Sequence, residues 1–136
     1  MKAIITLISG FFGILFFEGF ARLIITFYPR IEFSFYGISH LPSDVWVYVI
    51  FASVITSTWL TTMLVLTILK TNSKRYALLF GGIIMLWRLF EIANSHQSEP
   101  VYYFSGVILL HLLGVYLAYL AYSRQEISTE KYHEPA

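Results

Sequence analysis

The chain of 136 residues contains no cysteine. This absence excludes disulfides, thiol redox chemistry, thiolate metal sites and any haem or lipid attached through cysteine. Charged residues are scarce as well, at 12% of the sequence against about 25% in a typical soluble domain. The formal net charge is only +1, so there is no electrostatic argument for binding to nucleic acid or to an acidic partner.

Apolar side chains are present in excess. Hydrophobic residues make up 57% of the chain and aromatic residues 18%. The excess is concentrated in four stretches, residues 3–28, 45–69, 76–93 and 101–123. Each is close to the roughly 20 residues that cross a bilayer as a helix, and Pro29, Pro42 and Pro100 punctuate them. The sequence predicts an all-α integral membrane protein, with a four-helix up-and-down transmembrane bundle over residues 1–123 and a polar cytoplasmic tail over residues 124–136.

The first apolar stretch has a second interpretation. Lys2 before an apolar run, with the small residues Gly19 and Ala21, is also the pattern of a cleaved signal peptide. Glu18 would lie against that cleavage site, and apolar sequence resumes soon afterwards. We therefore interpret the first stretch as a retained span.

Positive charge in the short loops predicts the orientation of the bundle. One side of the membrane carries most of the basic residues outside the apolar stretches. These are Lys2, Lys70, Lys74, Arg75, Arg124 and Lys131. The opposite side has Arg30 alone. The sequence thus predicts a multi-pass protein of a bacterial-type cytoplasmic (inner) membrane, with both termini in the cytoplasm.

Five ionisable residues interrupt the apolar stretches. Glu18 and Arg22 lie in the first, Arg88 and Glu91 in the third, and His111 in the fourth. A charge at the centre of a spanning helix costs about 3 kcal/mol on insertion scales, so these residues should pair. Their spacing places each charged pair on one helix face, and a rise of about 1.5 Å per residue gives the two pairs matching depths. We expect two crossed ion pairs, Glu18 with Arg88 and Arg22 with Glu91.

The intramembrane charges have two interpretations. Buried ion pairs can fix the register of helices and have no further role, whereas ionisable residues in a membrane also mark ligand sites and ion pathways. Gly114 and Ala118 share a face with His111, and small residues mark helix contacts. His111 is therefore expected to point into the bundle, either as a hydrogen-bonded interior histidine or as part of an outward-facing polar cavity.

No cofactor, metal or catalytic residue is assigned from the sequence. A bis-histidine haem needs two histidines at one depth on facing helices, whereas His40 and His96 fall in the loops. Zinc needs three or four clustered ligands, and the sequence has no such motif. An enzymatic function is therefore not favoured.

Four features lie along the chain in order. They are Tyr-Pro at residues 28–29, Tyr-Gly-Ile-Ser at residues 36–39, GGIIMLWRLFE at residues 81–91 and LLHLLG at residues 109–114. A chain with these features resembles the DoxX-like group of small four-helix bacterial membrane proteins, in a branch of unknown activity. The group includes subunits that partner redox enzymes, and no site residue is carried over from it.

The sequence favours a small accessory or interaction protein whose intramembrane charges organise the bundle or a partner. The alternative is binding or transport of a small or lipid-like ligand in an outward-facing polar cavity that contains the same charges. The expected partners are the lipid bilayer and either another membrane protein or a second copy of the chain. Nucleic acid is not expected.

Reporter fusions test the predicted orientation. Fusions at residue 1, within residues 71–74 and after residue 123 are expected to report a cytoplasmic location, because the basic residues cluster at that side. Insertions at Ser39 and Gln97 are expected to report an external one. An external signal from residues 71–74 would reverse the orientation.

Overall fold

The computed structural model describes the backbone of residues 1–133 and the side chains of residues 1–125. It consists of four helices, α1 (Lys2–Phe27), α2 (Asp44–Leu69), α3 (Ser73–Ser95) and α4 (Val101–His133). All four are long and apolar enough to cross a membrane, α4 over Val101–Gln125. The predicted all-α four-helix membrane bundle is confirmed.

The helix bounds differ from the predicted spans mainly at polar ends. α3 begins at Ser73 rather than at residue 76, because polar residues form its first turn. α4 continues to His133, so residues 124–133 of the predicted polar tail are helical. The remaining tail residues, 134–136, lie outside the described part of the chain.

The connections are formed by residues that stop helices. α1 ends at Phe27, two residues before Pro29, and Ser43 in extended backbone precedes the start of α2. The turn between α2 and α3 has only three residues, and two of them, Lys70 and Asn72, adopt left-handed backbone with φ of 54° and 48°. Such a short turn makes α2 and α3 antiparallel.

The helices pack in the order α1–α2–α4–α3 around the bundle. α2 packs against both α1 and α4, α3 packs mainly against α4, and α1 touches α3 only lightly. Phe51 of α2 lies beside Gly106 of α4, and Thr58 lies beside Gly114. These contacts show that α2 and α4 run parallel. α4 therefore lies between α2 and α3, which are consecutive in the chain.

Apolar side chains cover both the outside of the bundle and the two ends of its core. Exposed phenylalanines such as Phe12, Phe16 and Phe20 are more than half exposed, as expected for helices surrounded by lipid. One buried apolar cluster contains Ile25, Val54 and Tyr103. A second contains Leu7, Val65 and Phe80. The polar side chains of the core lie between these two clusters.

Two glycines in the helices have opposite surroundings. A Cβ atom added to Gly114 would stand 3.0 Å from Cβ and Cγ2 of Thr58 and 3.3 Å from the carbonyl oxygen of Ile55. A Cβ atom added to Gly82 would meet no atom within 4 Å. Gly114 thus allows the close approach of α4 to α2, whereas Gly82 has open space.

A matched pair of substitutions tests this packing. Gly114→Leu is expected to destabilise the bundle by about 3 kcal/mol or more, because it overpacks the contact between α2 and α4. Gly82→Leu should leave stability near that of the parent chain. Thermal unfolding in detergent measures both. Equal losses from the two changes would contradict the packing of α4 on α2.

Candidate functional site

The structure brings all five predicted intramembrane residues into the core. Glu18, Arg22, Arg88, Glu91 and His111 have exposed fractions between 0% and 6%. We call these five residues together with Tyr103 the polar cluster. Its two arginines and two glutamates balance in formal charge, which limits the cost of burying them.

Arg88 is the centre of the polar cluster and donates in three directions. Its Nη2 donates to Glu18 Oε2 on α1 at 2.5 Å, and its Nη1 donates to Glu91 Oε2 one turn along α3 at 2.5 Å. Its Nε donates to Nε2 of His111 on α4 at 2.7 Å. The predicted Glu18–Arg88 pair is therefore present, and one guanidinium ties α1, α3 and α4 together.

The contact with Arg88 fixes the tautomer of His111. An arginine N–H can only donate, so Nε2 of His111 must be an unprotonated acceptor. The ring is then neutral with its proton on Nδ1, which lies 2.5 Å from Thr58 Oγ1. The Thr58 hydroxyl accepts a hydrogen bond from Nδ1–H and donates a hydrogen bond to the carbonyl oxygen of Val54 at 2.7 Å. His111 thereby connects Arg88 to α2.

The predicted Arg22–Glu91 ion pair is wrong, because the hydroxyl of Tyr103 lies between the two residues. Tyr103 donates to Glu91 Oε1 at 2.8 Å and accepts from Arg22 Nη2 at 3.1 Å. The other oxygen of Glu91 is bonded to Arg88. α1 and α3 make few contacts, so a side chain from α4 fills the space between Arg22 and Glu91.

Sequence reasoning missed Tyr103, although a signal was present. Buried residues of α4 recur at Tyr103, Val107, His111, Gly114 and Ala118. These spacings of three and four residues define one helix face. Extending the face of His111 toward the start of the helix would have led to Tyr103 at the depth of Glu91.

The end of the polar cluster that contains Arg22 and Tyr103 is tied to the loop between α1 and α2. Arg22 Nη1 donates to the carbonyl oxygen of Gly37 at 2.7 Å, and the N–H of Gly37 donates to Tyr103 Oη at 3.3 Å. Gly37 has φ of +83°, and an added Cβ would overlap the carboxylate of Glu99. A side chain at this position would therefore break the loop's docking.

Glu99 holds the same loop from the connection between α3 and α4. Its Oε2 accepts from the backbone N–H groups of Ile38 at 2.7 Å and Ser39 at 3.0 Å, and its Oε1 accepts from the Ser39 hydroxyl at 2.7 Å. Burial, followed by the positive charge of Arg22, lowers the pKa of the neighbouring His40, while Glu99 acts in the opposite direction. The loop thus forms a cap over the cluster.

One polar atom of the cluster is unsatisfied. Among the described side chains, Glu18 Oε1 is buried without a hydrogen-bond partner. Nε2 of His111 lies 3.6 Å from this oxygen, and that nitrogen is already an acceptor for Arg88. Buried polar atoms are normally bonded, so Glu18 Oε1 is the acceptor of the cluster that lacks a donor.

The described residues offer no arrangement for a metal ion: no group of three or more His, Asp or Glu side chains within them has the required geometry. The histidines at positions 40 and 96 lie in loops, apart from His111. The polar cluster is a closed hydrogen-bonded core in which each group already has a partner, apart from Glu18 Oε1. All six side chains of the polar cluster are buried.

Comparison with protein-family models, curated proteins and solved structures finds no match to this chain. The resemblance to the DoxX-like group therefore stays a prediction from the sequence.

The role of Tyr103 is tested by removing its hydroxyl. Tyr103→Phe leaves Glu91 Oε1 and Arg22 Nη2 without their shared partner inside the core, and we expect a loss of about 3 kcal/mol in the free energy of unfolding. Thermal unfolding in detergent measures the loss. Tyr102→Phe is the matched control, because Tyr102 is 57% exposed whereas Tyr103 is 1% exposed. Equal stability of the two variants would rule out the Tyr103 hydroxyl as the link between Arg22 and Glu91.

Proposed function

We propose that this chain is a small non-enzymatic accessory or interaction protein of the cytoplasmic membrane, in which the polar cluster holds the four helices in one arrangement. The observation that supports this role is the closure of the cluster. Its charged groups are buried, balanced in charge and bonded to one another. An activity that depends on contact with another molecule would therefore operate through the outer surface of the bundle.

A structural role for buried charges has a physical basis in a bilayer. Lipid is as apolar as the helix surfaces, so hydrophobic burial does not choose one helix arrangement over another. An unpaired charge, by contrast, is strongly penalised in the membrane interior. A cluster that is satisfied in only one register of Arg88 against Glu18 and His111 would select that register.

We also propose that both termini lie in the cytoplasm and that the chain is related to the DoxX-like group. The basic residues at the turn between α2 and α3 favour a cytoplasmic location for that end and for both termini. The resemblance to the DoxX-like group is in keeping with a small subunit that works beside another membrane protein. A second copy of the chain is the other partner that such a surface would accept.

Ligand binding or transport is the second candidate, and the unpartnered Glu18 Oε1 favours it. A ligand with an O–H or N–H donor would satisfy this atom. A hollow of about 140 Å³ between α1 and α2 is lined by the adjacent Phe17 and by Ser53, Thr56 and Ser57. This function requires the cluster to open toward the outside, since its charged groups are enclosed.

Thiol labelling distinguishes the two candidates, because the chain has no cysteine of its own. Ser95→Cys places a thiol at a buried position one turn from Glu91, with Gln97→Cys as the exposed control. With a hydrophilic maleimide, we expect Ser95→Cys to react at least about tenfold more slowly than Gln97→Cys, because labelling needs local opening.

Similar rates at the two positions would show that water reaches the cluster and would favour ligand binding.

The interaction role is tested by photo-crosslinking in native membranes from lipid-facing positions such as Phe16 and Leu109. A discrete protein adduct is expected from at least one face. A chain that crosslinks only to lipid from every face would contradict the accessory role.

A further inference from the structure

A groove runs along the outside of the bundle between α3 and α4, and it touches the polar cluster only at His111. It encloses about 380 Å³, within the range of about 300–1,000 Å³ typical of small-molecule sites. Its walls are almost entirely apolar. They include Leu78, Gly82, Met85, Leu112, Tyr116 and Tyr119. Gly82, Leu112 and Tyr116 are exposed, so the groove opens to the lipid around the bundle.

The groove has one basic end. Lys74 and Leu78 line both the groove and a larger hollow of about 550 Å³ at the turn between α2 and α3. Lys70 and Arg75 also line that hollow. All ion pairs among the side chains of residues 1–125 lie in the polar cluster. The three cations at the mouth of the groove therefore have no partner carboxylate within that part of the chain.

The length of the groove indicates what fills it. From Lys74 to Met85 along α3 is eleven residues, or about 16 Å at the rise of an α-helix. The apolar core of a bilayer is about 30 Å thick, so the groove spans one leaflet. Its lining includes His111, which lies near the middle of the candidate span Val101–Gln125. A partner helix would need a surface across both leaflets, whereas a lipid acyl chain needs one.

We propose that the groove between α3 and α4 binds one anionic phospholipid, with an acyl chain against Gly82 and the headgroup phosphate at Lys74 and Arg75. The chemistry is complementary at both ends, because an apolar wall of one-leaflet depth meets three cations that have no ion-pair partner among residues 1–125. Basic residues at a membrane surface attract anionic lipids. The proposal of a lipid site does not depend on the role proposed for the polar cluster.

The test is lipid retention by the full-length protein. The chain is reconstituted in nanodiscs of equal parts phosphatidylglycerol and phosphatidylcholine. Native mass spectrometry then counts the lipids that stay bound after the protein is released from the nanodisc. One phosphatidylglycerol per chain is expected. Lys74→Gln should lower the preference for phosphatidylglycerol about fivefold, the effect of one cation near the surface. Lys2→Gln, a cation at the same end but outside the groove, should change nothing.

The groove itself is tested with Gly82→Leu. The open space at Gly82 lets the leucine side chain fill the groove without disturbing the helices, and unchanged thermal unfolding verifies this. Retention of phosphatidylglycerol and of phosphatidylcholine by this variant is expected to fall. Full retention in Gly82→Leu overturns the acyl-chain site, and an unchanged lipid preference in Lys74→Gln overturns the headgroup site.

Discussion

The arrangement of this bundle depends on the three-way hydrogen bonding of the Arg88 guanidinium. Its donors reach Glu18 on α1, Glu91 on its own helix and His111 on α4, and His111 extends the contact to Thr58 on α2. Every helix is thus positioned relative to one planar group. In lipid, where apolar contact does not discriminate between helix registers, the directionality of these bonds is the main source of a unique arrangement.

The rest of the structure protects this group from water and from lipid. Apolar clusters lie on either side of it along the bundle, and Gly114 lets α4 approach α2 closely enough for His111 to reach Thr58. At the end of the cluster nearest the loop between α1 and α2, Tyr103 and Arg22 continue the hydrogen-bond network to Gly37. The loop therefore belongs to the core, although it lies outside the spans.

The sequence was sufficient for the four helices and for the Glu18–Arg88 pair. Hydropathy reports spans directly, and counting the rise per residue gives depth. The sequence was insufficient to predict the contacts of Arg22 and Glu91, since two residues at equal depth can still have a third side chain between them. Tyrosine counts as apolar in a span, so hydropathy does not single out Tyr103, and only the helix face that it shares with His111 indicates its position. The docking of Gly37 against Glu99 joins residues far apart in the chain, which local patterns do not reveal.

The position of α4 between α2 and α3 has a consequence for biosynthesis. α4 is the last of the four helices to leave the ribosome, yet it carries both His111 and Tyr103. Until it inserts, Arg88 lacks its histidine acceptor, and Arg22 and Glu91 lack the hydroxyl that joins them. The first three helices alone keep the bonds of Arg88 to Glu18 and Glu91, and α4 supplies the histidine and the hydroxyl that complete the polar cluster.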